Sequence, residues 1–363
     1  MKEPNLLRFT AFAFAALLSH STHAAKLEAS RVIEFIPPPP ATHGGNYSPS
    51  VMKDAFDGKT KVWWCAEDPV TLNEVVVYQE ISSDGARTAP QIVLKANSIT
   101  AGAPTISWEG DRACDPTVVR GSWTYLGVNY TYAMYYTTEH PGTSQPEGTS
   151  NRIGLAFSQN GTNWVKYTNN AVVQGPVANG YYGIGESVAW NVNGASSVRM
   201  MYTDVNAAGI TQHYVRDAAD GINFGTATPI SYSGISVDGV AGVNTYNPAI
   251  AIAPGIYNGH YYYFMTLVCE THGPGVGFAD NLAKGVCVYR TEGDSGLFNG
   301  PWTKVLDSAQ LRYVEKEPGF VTDQWGALLN LPAIGVYMAC GDIGTPPGWP
   351  ANWGLCTTDG TMN

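Results

Sequence analysis

Asp115 and Glu186 each head a strand-like segment, Asp115-Pro116-Thr117-Val118 and Glu186-Ser187-Val188-Ala189. Two more segments open the same way, Ser48-Pro49-Ser50-Val51 and Asn247-Pro248-Ala249-Ile250. The heads recur roughly every 60 to 70 residues, the length of one four-stranded repeat with its loops. Arranged around an axis, such repeats bring their heads to one polar funnel, with Asp323 or Gln324 near a fifth start. Two carboxylates from adjacent repeats facing one funnel can cleave a glycosidic bond. One protonates the leaving oxygen while the other activates water or attacks the sugar. The plainer reading is that Asp115 caps a turn before Pro116 and that Glu186 pairs with a neighbouring Arg.

The elements that must position these heads are strands. Each head is followed by a short aromatic or β-branched run: Val62-Trp63-Trp64-Cys65, Tyr132-Ala133-Met134-Tyr135-Tyr136, Val198-Arg199-Met200-Met201-Tyr202 and Tyr261-Tyr262-Tyr263-Phe264-Met265. Runs of this length, bounded by Gly and Asn, read as strands. A turn motif keeps step with them: Ser83-Asp84-Gly85, Ser158-Gln159-Asn160-Gly161-Thr162-Asn163-Trp164, Asp220-Gly221-Ile222-Asn223-Phe224 and, more loosely, Gly293-Asp294-Ser295-Gly296 before Pro301-Trp302. A fifth unit is read at Trp325 to Leu331, Gly335 to Cys340 and Trp353 to Thr357, one strand short. Arg31-Val32-Ile33-Glu34-Phe35-Ile36, stopped by Pro37 to Pro40, is the strand left to complete it. The expected fold is all-β, a five-bladed β-propeller whose N-terminal strand closes the last blade and removes an open sheet edge. The competing architecture is a pair of β-sandwiches.

Composition fits this picture. The chain has 363 residues, 40 Gly and 23 Pro, only 14% charged residues and a formal net charge of −10. That balance favours neither nucleic acid nor an anionic membrane surface and suits a neutral or weakly polar partner; the partner expected is a carbohydrate, and the chain is expected to be a monomer. Lys2 and Arg8, the apolar run from Phe9 to Leu18 and the small residues Thr22 and Ala24 have the layout of a signal peptide over residues 1–24, with cleavage after Ala24 or Ala25 and a single domain over 25–363. The apolar run is too short to span a bilayer. The expected location is therefore secreted or periplasmic. Six Cys and no CxxC suit disulfides in an oxidising compartment: Cys65 with Cys114, Cys269 with Cys287, and Cys340 with Cys356.

Asp115-Pro116-Thr117-Val118-Val119 with Tyr132 to Thr137, Ile153 to Ser158 and Gly161-Thr162-Asn163-Trp164 resembles a blade of the five-bladed propeller glycoside hydrolases, the family 43 arabinofuranosidases and xylosidases and the related family 32 enzymes. The likeness runs on through Tyr182 to Ser187 and Met201 to Asp204. It implies three acidic residues on consecutive blades: an Asp base, an Asp that tunes and orients, and a Glu acid. With Asp115 in the tuning role, Glu186 is the acid and Ser48 stands where the base belongs. With Asp115 as base, Glu186 tunes and Asn247 stands at the acid, where an amide has no proton to give a leaving group. Either register lacks one carboxylate, for which Glu109, Asp111, Glu270 and Asp323 are candidates.

Ser48, Asn247, Tyr182 and Trp325 are the candidate substrate-binding residues, and Trp63, Trp64, Trp108, Tyr181 and Trp190 are further candidate sugar platforms that fit a core equally well. No cofactor is called for; the resemblance leaves room for a structural calcium ion on the axis, which His272 would hold through water as a His does in some relatives, the plainer reading being a surface His. The Ser158 to Trp164 turn is also similar to the Asp-box of sialidases, but the Arg residues are too scattered to grip a sialic acid carboxylate. Two function classes remain: an exported glycoside hydrolase acting in the axial funnel, and a catalytically inactive propeller that binds glycan or a protein partner.

Overall fold

The computed structural model describes residues 25–26, 31–33, 46–141, 150–175, 182–206, 210–237, 240–241, 250–272, 283–307, 313–342 and 354–362. The signal-peptide segment and Asn247 lie outside them, and no helix among them is long and apolar enough to cross a membrane. Strands dominate. Two short ones come first, β1 (Ala25–Lys26) and β2 (Arg31–Ile33). An antiparallel meander follows, of β3 (Tyr47–Asp54), β4 (Lys59–Glu67), β5 (Glu74–Ile81) and β6 (Gln91–Leu94). The second comprises β7 (Cys114–Tyr125), β8 (Val128–Thr138), β9 (Arg152–Ser158) and β10 (Trp164–Lys166), with β11 (Val173–Gln174) also on β9. The third is β12 (Gly183–Asn191), β13 (Val198–Val205), β14 (Thr211–Ala218) and β15 (Thr228–Pro229).

A hairpin of β16 (Ser236–Val237) and β17 (Val240–Ala241) precedes the fourth meander, β18 (Ile250–Tyr257), β19 (His260–His272), β20 (Ala283–Glu292) and β21 (Thr303–Asp307). The last is β22 (Tyr313–Asp323), β23 (Ala333–Asp342) and β24 (Gly354–Thr361). As the sequence implies, β2 completes it, pairing antiparallel with β24 at Val32 opposite Cys356. The last meander joins the first through parallel pairing of β22 with β3, Val321 opposite Val51, which makes one eight-stranded sheet.

Two sequence expectations are corrected. Trp325 to Leu331 is not a strand but the connection from β22 to β23, because the Asp323 carboxylate accepts the Trp325 and Ala327 amides and Gly326 takes φ 85°. The inner strand of the last meander lies earlier, at β22. The Gly293 turn is instead the one-helix insertion α1 (Gly293–Asn299), ended by Gly300 at φ 69°. The other motif glycines sit in turns with positive φ, at Gly85, Gly161 and Gly221.

Each meander buries both faces, which explains why the second strands are continuous apolar runs and not alternating ones. In β8, Tyr132, Met134 and Tyr136 pack with Met52, Trp63 and Tyr78 of the first meander. Ala133 and Tyr135 point the other way, toward Ile184, Met200 and Tyr202 of the third. Similar clusters join the third to the fourth through Trp190, Met201, Ile252 and Tyr263. The fourth meets the fifth through Phe264, Val288, Phe320 and Met338, and the fifth meets the first through Leu355, Val51, Val62 and Trp64. Every sheet is thus packed on its predecessor and its successor, and the last is packed on the first.

Candidate functional site

The inner strands β3, β7 and β12 open with one shared distortion. Pairing skips from Tyr47 to Ser50, from Cys114 to Thr117 and from Gly185 to Val188, so one extra residue is inserted in each inner strand. The first residue of each bulge is left-handed: Ser48 at φ 48°, Asp115 at 46° and Glu186 at 47°. None is Gly, so each costs about 1–2 kcal/mol that the surrounding pairing must offset. Three unrelated side chains held in one rare conformation are being presented in one way.

All three line a single cavity open to solvent, with Pro318 and Phe320 of β22 and Ile250 of β18 also on its wall. Hydroxyls stitch the inner strands beneath it: the Val118 amide donates to Ser50 Oγ at 3.0 Å, the Ala189 amide to Thr117 Oγ1 at 3.1 Å, and Thr322 Oγ1 to the Val51 carbonyl at 3.2 Å. The structure therefore brings together Ser48, Asp115 and Glu186, as their shared position predicts.

Asp115 is buried and paired with Arg112, whose NH2 lies 3.4 Å from its carboxylate. The same guanidinium forms an ion pair with Glu74, Nε lying 2.5 Å from one carboxylate oxygen, and Tyr47 donates its hydroxyl to the other Glu74 oxygen. Burial works against the Arg112 charge, but Glu74 and Asp115 outweigh it and hold its pKa well above the ordinary value. The Cys65–Cys114 disulfide ties β4 to the start of β7 directly before Asp115. The plainer reading has Asp115 as a turn cap and an Arg on Glu186; the structure instead puts the Arg partner on Asp115, which still lines the cavity. Glu186 has different neighbours: the Thr137 hydroxyl accepts its amide at 2.9 Å, and the Thr203 hydroxyl donates to its Oε2 at 3.4 Å. Tyr182 joins both acids electrostatically. Burial first, then the Glu186 and Asp115 charges, push its phenol far above the ordinary value, so it remains a proton-bearing donor.

Other sequence candidates go elsewhere. Trp325 sits at the far end of the inner strands, its carbonyl accepting the Asn191 amide and its ring edge-on to Phe56 at 6.4 Å. Asn191 is five residues beyond Glu186, roughly 16 Å along the strand. Asp323 is engaged in its turn, where burial raises its carboxyl pKa against the pull of the Ala327, Trp325 and Gly326 amides. Glu109 is buried and bonded to Lys166 Nζ at 2.5 Å, the Tyr136 hydroxyl at 2.8 Å and the Asn97 amide at 2.7 Å, a strut between the loop after β6 and β10. Asp111 is exposed in a loop.

Trp63, Trp64, Trp108 and Trp190 are buried core residues. The side chains of Glu270 and His272, and all of Tyr181, lie outside the described residues. Cys269 pairs with Cys287 as expected, and Cys356 is disulfide-bonded. Among the described residues, the groupings of metal-type donors centre on these same disulfides, Cys65–Cys114 beside Glu74 and Cys269–Cys287 beside Asp307, so their sulfurs are not thiolates.

Sequence reasoning missed one strand head. In β22 the pairing skips from Lys316 to Gly319, the same irregularity that β3, β7 and β12 show, and the residue at the matching position is Glu317. Its signal is the dipeptide Glu317-Pro318, which repeats the head-plus-Pro pattern of Ser48-Pro49 and Asp115-Pro116.

No protein-family model matches the sequence, and no curated protein matches it. Solved structures do match in shape. The chain is similar to a family 62 α-L-arabinofuranosidase from Podospora anserina, solved with cellotriose: TM-score 0.56, 11% identity, 93% of this chain and 97% of that one covered. The catalytic domain of the Coprinopsis cinerea family 62 α-L-arabinofuranosidase gives TM-score 0.58 at 12% identity over 93% and 98% of the two chains. A family 117 glycoside hydrolase of the marine bacterium Zobellia galactanivorans gives 0.57 at 8% over 93% and 91%. At such identities the likeness establishes the fold: an all-β, propeller-like architecture shared with glycoside hydrolases.

Proposed function

We propose that this protein is an exported, monomeric glycoside hydrolase, built as a five-bladed propeller, that cleaves a neutral or lightly substituted polysaccharide or oligosaccharide in its axial cavity. The blade count is supported by the five meanders, the five shared cores and the β22–β3 junction. Export is supported by the N-terminal layout and the disulfides. The observation that carries the function is that Asp115 and Glu186, from successive sheets, head their inner strands in one rare conformation and line one cavity. Glu186, flanked by hydroxyls and a protonated Tyr182, is suited to giving a proton to the leaving oxygen. Asp115 beside Arg112 is suited to a fixed negative charge that steadies the developing positive charge on the sugar.

A second reading, a non-catalytic glycan-binding propeller, is favoured by Ser48 and Asn247, which put no carboxylate at two of the heads. The test is reducing-sugar release from a panel of plant and bacterial polysaccharides by the purified protein, beside Glu186→Gln and Asp115→Asn. Release that both substitutions abolish supports the hydrolase. No release, with glycan binding that survives both, supports the second reading.

A further inference from the structure

We infer that Arg152 and Thr138 form an anion-binding site beside the cavity, built to take the carboxylate or sulfate group of an acidic sugar. Only the assignment to a sugar rests on the carbohydrate reading above; the anion site itself does not. Arg152 opens β9 and Thr138 ends β8, and the two stand directly opposite each other in the antiparallel pairing. Residues paired in this way share one face of the sheet, with Cβ atoms about 5 Å apart. Both are buried, Arg152 at 5% exposure and Thr138 at 0%. Neither Arg152 Nε nor Thr138 Oγ1 has a hydrogen-bond partner, and among the described residues no acid pairs with Arg152.

A guanidinium taken out of water without a counter-charge is costly. Burial with nothing opposing it also pulls the Arg152 pKa below its ordinary value. Nearby acids do not relieve it. Glu109 is engaged with Lys166 and Tyr136, and Glu139 accepts the Asp111 amide. Two enclosed donors side by side, one of them charged, therefore lack an acceptor that an anion would supply. The guanidinium fork matches the paired oxygens of a carboxylate or sulfate, and the hydroxyl adds a further donor. The net charge of −10 repels anions from the surface at large, so an anion held here is held by these local donors.

The location ties the site to the cavity. Thr138 follows Thr137, whose hydroxyl accepts the Glu186 amide. Asn151, directly before Arg152, gives its amide to the Tyr182 carbonyl and accepts the Ile184 amide. Thr138 faces the other side of its sheet from Thr137, toward the first meander. Gly154, two residues beyond Arg152 and on the same face, lies against Tyr136 and Trp108, which pack with that meander. A glycan leaving the cavity along the boundary between the first and second meanders passes the site. The light substitution of the proposed substrate is then an acidic one.

The experiment follows the melting temperature of the mature protein during titration with sodium glucuronate, sodium sulfate and glucose, at ionic strength matched with sodium chloride. In the wild type, glucuronate should give a saturable rise of about 2 °C at ten times its dissociation constant, and glucose should give none. Arg152→Met keeps the length of the stem and removes an unpartnered charge. It should therefore fold with an anion-free melting temperature no lower than wild type and should lose the saturable rise. The difference between wild type and variant removes the general stabilisation that sulfate exerts on proteins. Thr138→Val should weaken glucuronate binding about threefold or more. A saturable rise from sulfate with none from glucuronate keeps the anion site but overturns its assignment to a sugar. No saturable rise from either anion, an equal rise in Arg152→Met, a marked loss of stability in that variant, or wild-type affinity in Thr138→Val overturns the site. None of these results touches the hydrolase reading, which is judged by release of reducing sugar.

Discussion

Replacing Asp54 with Asn should destabilise the protein in a way that disappears in acid. Asp54 ends β3, its side chain is fully buried, and it accepts hydrogen bonds from Lys61 at 2.7 Å, Tyr132 at 2.8 Å, Arg120 at 2.9 and 2.7 Å and the Phe56 amide at 3.0 Å. Burial alone raises its pKa, but the bonds from Lys61, Tyr132, Phe56 and Arg120 prevail and bring it from 3.8 to about 2. That depression corresponds to about 2 kcal/mol of folding stability. Because the folded value lies below the unfolded one, the contribution is complete above about pH 4 and is lost as pH falls through 2.

Asn also leaves the buried Lys61 and the partly buried Arg120 with less counter-charge, a change that costs about 3–5 kcal/mol when a buried pair is broken. For a chain of this length the melting temperature at pH 7 should fall by about 4 to 7 °C. Scanning calorimetry of wild type and Asp54→Asn at several pH values between 7 and 2 makes the comparison, since acid effects elsewhere cancel in the difference. The gap in melting temperature should narrow steadily below pH 4. A gap that stays constant from pH 7 to pH 2, or widens in acid, refutes the reasoning.

Three more outcomes are expected. Arg112→Met should lower kcat on the cleaved polysaccharide while KM changes less than about twofold, because the guanidinium fixes Asp115 without reaching substrate; unchanged kcat removes Arg112 from the support of the site. Gly319→Ala drives a methyl into the Pro49 carbonyl and should cost at least about 1–3 kcal/mol by calorimetry, and an unchanged melting temperature means that the seam yields freely. Thiol titration of the denatured, unreduced protein should find almost no free thiol, whereas two or more per chain defeats the reading that all six Cys are bridged, Cys65 with Cys114, Cys269 with Cys287 and Cys340 with Cys356.

The heads and second strands were legible because Pro and aromatic runs mark them locally. Asp115-Pro116 announces a strand start, and Tyr132 to Tyr136 announces a strand buried on both faces. The last meander was misread for the opposite reason. Glu315-Lys316-Glu317-Pro318 looks like a charged linker, whereas Trp325 to Leu331 is aromatic and apolar enough to pass for a strand. What decides between them is the pairing of β22 with β3, about 270 residues away in sequence, which no local pattern reports. Glu109 shows the same limit at a side chain. Nothing around it in the sequence tells that Lys166 and Tyr136 will close over it. Trp325 and Asp323 fall at the far end of the inner strands because the inner strand of the last meander is β22, which ends at Asp323 where the sequence pattern suggests a start.

The junction of β22 with β3 also sets when this molecule can exist as a unit. Its partners come from opposite ends of the chain, and β2 waits for β24 in the same way. A polypeptide emerging from the ribosome can form the second and third meanders early, but the first keeps an exposed edge until almost the whole chain has been made. Closing so long a loop has an entropic cost that grows only slowly with length, so the delay is one of order of events and not of final stability. Until closure, the strand edges of β3 and β2 stand open to other chains. Crowded synthesis should therefore expose the half-made ring to edge-to-edge association, a hazard that ends when its own last strands arrive.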